Sequence, residues 1–177
     1  MEFEKTKTVA IIGFRHDMFN FPLYNNSYVY TGFKNTVFNS IWKLNQAGYN
    51  TFIYGGESGF EIICAEMIKV LKRKTSNIKL VCALPYAAFP TSEHLEGEWK
   101  NRYISASYAC DSILNVTRQD MKHKGCYRNR YEYMTDNSNI LLCYNDSPKS
   151  SMSALINYMM GYALASGLEI LNAADLI

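Results

Sequence analysis

The sequence of 177 residues predicts a single α/β domain over residues 1–177, with a mostly parallel sheet of five to six strands and helices on both faces. Three observations predict it. Short, nearly continuous apolar runs recur along the chain, segments with a helical apolar beat lie between them, and glycine or proline punctuates the joins. Runs without alternation belong to strands covered on both faces, and strands alternating with amphipathic helices build βαβ units with right-handed crossovers. The arrangement is Rossmann-like. In such a sheet a ligand crevice lies beyond the carboxyl ends of the strands, so the loops after the first, second and fifth strands are where chemistry is to be sought.

The first strand is read at Thr8 to Gly13, an apolar run that stops at a glycine. Phe14 to Thr31 lacks a clean period and contains Pro22, Asn25 and Asn26, so it reads as a loop. Its aromatics, among them Phe19, Phe21 and Tyr30, predict a mobile segment that closes over a bound base or ribose. From Lys34 a helix carries Val37, Ile41 and Leu44 on one stripe and ends at Gly48. Thr51 to Tyr54 is the second strand, and a helix from Gly59 to Arg73 keeps Phe60, Ile63, Met67 and Leu71 on the beat. Ile78 to Leu84 is the third strand, stopped by Pro85, and Trp99, Tyr103 and Ala106 mark the next helix. Ser112 to Val116 and Ile140 to Tyr144 are the fourth and fifth strands. A last helix holds Leu155, Ile156 and Met159, ends near Gly167, and leads to a short strand at Leu168 to Leu171.

Apolar residues make up 48% and charged residues 19%, with a formal charge of +2, which is ordinary globular composition. Binding to nucleic acid is mainly a charge effect, so this balance argues against it. The basic residues gather locally, at Lys69, Lys72, Arg73 and Lys74, where they suit a helix end, and at Lys122, Lys124, Arg128 and Arg130. Five cysteines stand singly, which points to a reducing compartment and away from disulfides or a thiolate zinc site. A charged start and no run of about 18 apolar residues predict neither signal peptide nor membrane anchor, and a cytoplasmic location. Glu93, His94, Glu96 and Glu98 make a poor metal site, and no metal or cofactor is expected.

The sharpest local feature is Gly55, Gly56, Glu57, Ser58 and Gly59, a glycine-rich turn from strand to helix. Glycines let backbone approach a ligand, and free amides at a helix start attract phosphate. The turn is neither a dinucleotide fingerprint nor a Walker loop. A structural alternative is equally concrete: Ser58 as N-cap with Glu61 as its capping-box partner. After the first strand, Arg15 follows Gly13 and can fork onto a phosphate, or form a surface ion pair; His16 reads as a loop histidine. Before the fifth strand, Arg128, Arg130, Asp136 and Ser138 stand among tyrosines, where arginine can hold a phosphate and stack a base. If this segment is helical, Met134 shares a face with Arg130 and reads as core support rather than contact. After the fifth strand, Ser150 and Ser151 offer hydroxyls at a helix start. No serine, histidine and acid combine into a supported triad.

Gly13 with Arg15, the turn from Gly55 to Glu61 leading to Ala65 and Glu66, Pro85 with Tyr86, and the run Arg130, Met134, Asp136, Ser138 together resemble the SLOG superfamily. The likeness spans roughly Thr8 to Gly167 and is nearest to the YpsA-like family of small bacterial and phage proteins. It implies a Rossmannoid fold shared with LOG-type phosphoribohydrolases, the single-strand DNA-binding DprA proteins and domains that sense nucleotide-derived signals. It also implies a nucleotide-like small-molecule partner, a homo-oligomer and a bacterial host cell. By this resemblance Gly13 and Arg15 match the early glycine-arginine pair, Gly56 and Gly59 the phosphate loop, and Arg130 the arginine that assists glycosidic cleavage in LOG-type enzymes. Where relatives carry a Gly-Gly-Thr turn, this chain has Ser150, Ser151 and Met152, and the glutamate that LOG-type enzymes use in catalysis is missing. Glycosidic cleavage wants an acid or base beside the leaving group. The expectation is therefore binding or sequestration of a nucleotide-derived molecule, such as one of NAD or ADP-ribose type. The rival is a phosphoribohydrolase or N-glycosidase in which Arg130 works with Glu57 or Glu61. Single-stranded DNA binding and a role without a small ligand are weaker alternatives.

Overall fold

The computed structural model describes residues 4–91, 95–147 and 154–176. Along the chain lie β1 (Thr8–Gly13), α1 (Tyr28–Gln46), β2 (Thr51–Tyr54), α2 (Phe60–Lys72), β3 (Lys79–Leu84) and α3 (Gly97–Ser107). There follow β4 (Ser112–Asn115), α4 (Cys126–Asp136), β5 (Ile140–Tyr144), α5 (Ala154–Ala165) and β6 (Glu169–Asn172). Four-residue or shorter 3-10 turns, such as His16–Met18 and Phe89–Thr91, fill in the loops.

The six strands are ordered β4-β3-β2-β1-β5-β6, and every neighbouring pair is parallel. From β1 the chain steps outward to β4, then returns across the sheet to β5. Right-handed crossovers in opposite directions put their helices on opposite faces. Accordingly α1 packs on α2 and α2 on α3, whereas α4 packs on α5. The reversal between β1 and β5 is the topological switch point, where a sheet of this kind has its ligand crevice.

The core sits on the central strands. β1, β2 and β5 are buried along their whole length, which explains their unbroken apolar runs. α2 is buried on most sides, through Phe60, Ile62, Ile63, Cys64, Ala65, Ile68 and Leu71. Each such aliphatic or aromatic side chain contributes about 1.5–3 kcal/mol by leaving water. β4 alternates half-buried and exposed, as an edge strand does.

One boundary differs from the sequence reading. α1 begins at Tyr28, not near Lys34, with Ser27 as its N-cap accepting from the Tyr30 amide at 3.3 Å. Tyr28, Val29, Tyr30 and Thr31 are poor helix formers, and burial of Tyr30 and Phe33 overrides them. The loop before the helix is also built into the fold. Phe19 stacks on Tyr144 at 5.0 Å and 7°, and meets Phe33 edge-on at 5.5 Å. Phe14 meets Tyr144 edge-on at 5.5 Å. These rings cover the carboxyl end of β5, so the Phe19 end of the segment expected to close over a ligand is packed into the fold, while Tyr24 and Tyr28 are exposed. No helix among the described residues is long and apolar enough to cross a membrane.

Candidate functional site

The glycine turn between β2 and α2 is shaped by close backbone approach. Gly59 has φ +88°, and a Cβ there would lie 2.4 Å from the carbonyl oxygen of Phe14. The Phe60 amide donates to that same carbonyl at 2.9 Å, so the first amide of α2 is spent on the loop after β1. The N-cap of α2 is Gly59 and not Ser58. Its positive φ delays the helix by one residue and delivers Phe60 to the core. Ser58 instead shares a hydrogen bond of 2.8 Å with His16 Nδ1. Glu61 does satisfy loop amides, but those of Gly55 at 2.7 Å and Glu57 at 3.2 Å.

Behind this turn lies a buried ionic cluster. Arg130, fully buried on α4, donates through Nη1 to the Gly55 carbonyl at 3.0 Å, and Nη1 and Nη2 both lie 3.4 Å from Glu57 Oε1. A Cβ on Gly55 would meet Arg130 Nε at 2.6 Å, so only glycine lets the guanidinium in. The guanidinium also stacks 4.2 Å from the Tyr131 ring centre, and the Tyr131 hydroxyl donates to Glu61 Oε1 at 3.0 Å. Burial pushes the Glu61 carboxyl up to about 7, with Arg130 opposing the rise. Burial works against the Arg130 charge, yet Tyr131, Glu61 and Glu57 hold it above its ordinary range. A buried pair is costly to break because the remaining charge has no solvent. Structurally, Arg130 ties α4 to the β2–α2 turn.

At the switch point is a hollow of about 330 Å³. Gly13, Arg15 and Met18 of the β1–α1 loop form one side, and Tyr127 and Tyr131 of α4 with Leu155 and Ile156 of α5 form the other. Glu57 and Lys122 also line it. Pockets for small molecules span about 300–1,000 Å³ and are mostly apolar with a few placed polar groups. This one fits that description at the small end. A second hollow of about 480 Å³ lies between α1 and β6, near Thr36, Lys43 and Leu171, with no aromatic side chain among its described lining residues.

The structure brings Gly13, Arg15 and Glu57 to the hollow. Gly55, Gly56, Ser58, Gly59, Glu61 and Arg130 are buried behind it, committed to one another or to packing. Arg15 and Arg130 therefore do not converge: Arg15 is half-exposed and pairs with Asp17 at 2.7 Å, while Arg130 turns inward. Asp136 lies at the opposite end of α4, exposed, and accepts from the Tyr162 hydroxyl at 2.9 Å. Ser150 and Ser151 fall outside the described residues, as do Glu93 and His94. Trp99 and Arg102 clamp helices together: Arg102 forks onto Glu66 at 2.8 and 2.7 Å and stacks 4.0 Å from Trp99. Lys122, Tyr127 and Tyr131 were not singled out from the sequence as lining a site. Tyr127 and Tyr131, spaced i and i+4 on one helix face, were the available signal.

Fold and hollow together define a Rossmann-type α/β domain with a ligand-sized crevice at its switch point. A family model described as the YspA SLOG family matches residues 9–173, and the chain belongs to that family. The resemblance read from the glycine turn and the arginine run is thus borne out across almost the whole chain. A comparison with curated proteins gave no match.

Proposed function

We propose that the protein binds or sequesters a nucleotide-derived small molecule in the hollow between the β1–α1 loop, α4 and α5, for example a signalling nucleotide of NAD or ADP-ribose type. The observation that carries this reading is the lining. Arg15 and Lys122 supply positive charge, Tyr127 and Tyr131 supply rings, and Glu57 supplies an acceptor for hydroxyl or amino groups. Membership of a SLOG family supports the nucleotide-related class. A cytoplasmic location and self-association belong to the same reading, and exposed Leu155, Tyr158 and Leu164 on α5 offer apolar area for the latter.

A second reading, LOG-like glycosidic cleavage, is favoured by one observation: Glu57 reaches the hollow with Arg130 directly behind it at 3.4 Å. One incubation separates the two. With purified protein, nucleoside monophosphates and NAD-like nucleotides, chromatography is expected to recover the ligand intact after retention by the protein. Released base would establish turnover, and no retention of any nucleotide would remove the binding reading.

A further inference from the structure

We infer that the ligand's anionic group is held at the rim of the hollow by Lys122 together with Arg15, and not by the amides of the glycine turn. This placement rests on the nucleotide-type reading of the hollow and fixes how such a ligand lies in it.

Two amides of the glycine turn and the first amide of α2 are already taken. The amides of Gly55 and Glu57 donate to the Glu61 carboxylate, and the Phe60 amide donates to the Phe14 carbonyl. Residues 55–59 are all buried, with Gly56 packed near Tyr103, Phe89 and Leu84. An anion arriving there finds donors of the turn already bonded to the Glu61 carboxyl, where a helix N-terminus would otherwise offer them. The inner wall of the hollow is acidic as well. Glu57 is only 5% exposed and lines it, so a phosphate pushed inward faces a carboxylate in a medium that screens poorly.

The outer wall has the opposite sign. Arg15 is half-exposed, and part of its charge is taken up by Asp17. Lys122 is exposed, and its ammonium lies 5.5 Å from the Tyr127 ring centre. No carboxylate among the described residues pairs with it, so among the described lining residues it carries the least compensated charge. The strap that bears it is anchored on both sides. The Ala87 and Ala88 amides donate to the carbonyls of Gln119 at 3.2 Å and Asp120 at 2.9 Å, and Thr117 Oγ1 donates to the Pro85 carbonyl at 2.8 Å. Beyond Lys122, Gly125 in a left-handed conformation starts α4. A ligand consequently lies with its uncharged, donor-bearing end toward Glu57 and its phosphate outward.

The test is calorimetric titration of wild type and Lys122→Met with nucleoside 5′-monophosphates, their nucleosides and inorganic pyrophosphate. Lys122→Met is expected to weaken the monophosphate about tenfold, the scale of one charge-assisted contact, and to leave nucleoside affinity unchanged. Equal monophosphate affinity in both proteins overturns the rim placement while the nucleotide reading stands. Pyrophosphate binding that depends on Lys122, without monophosphate binding, supports the rim placement and removes the nucleotide reading. If wild type takes up none of the probes, both fall.

Discussion

Glu61 is the residue at which burial, charge and fold meet. Its carboxyl rises from 4.5 to about 7 chiefly because it is desolvated. The folded protein therefore holds a proton that the unfolded chain releases between those values. The stability that comes with that proton is complete below 4.5 and is lost as pH climbs through 7, by at most about 3 kcal/mol. Urea unfolding at pH 5 and pH 8 is expected to show wild type losing stability over this range, and Glu61→Gln losing less. Parallel pH profiles for the two proteins would contradict the assignment. Arg130 shows what a single sequence conceals at this scale. Arginine is rarely buried, so a run of arginines and tyrosines reads as a surface for ligands. What buries Arg130 is Gly55, whose missing side chain lies 75 positions earlier and becomes relevant only once α4 crosses β2.

At the scale of elements, the two glycines near helix starts have opposite roles. Gly59 needs positive φ and has Phe14 backbone against it, so Gly59→Ala is expected to cost at least about 1–3 kcal/mol. Gly32 lies inside α1 with open space around it, so Gly32→Ala is expected to gain about 0.5–1 kcal/mol. Denaturation midpoints check both, and equal shifts of one sign would show the turn to be differently built. The same contrast explains which elements were legible. β1, β2, β3 and β5 announce themselves because burial on both faces leaves continuous apolar runs. The first turns of α1 do not, because tertiary packing of Tyr30 and Phe33 outweighs weak local preference. The capping-box alternative at Ser58 does not hold, because a Ser-x-x-Glu spacing cannot reveal a glycine's left-handed φ.

For the molecule as a whole, strand order decides where chemistry can occur. The return from β4 to β5 carries Lys122 from beyond an edge strand to the mouth of the central crevice, beside Arg15 and Glu57. The sequence places β1, its following arginine and the parallel class of sheet, but the partners meeting at the switch point depend on that crossover. This is why Gly13, Arg15 and Glu57, which line the hollow, stood out as candidates in the sequence and Lys122, Tyr127 and Tyr131 did not. On the proposed function, this crevice receives the ligand. The most direct measurement is mapping of amide chemical shifts during titration with a nucleoside 5′-monophosphate. Saturable shifts are predicted at Arg15, Glu57, Lys122 and Tyr127. Shifts confined to Lys43, Leu44 and Leu171 in the groove between α1 and β6, or no saturable shifts, would contradict it.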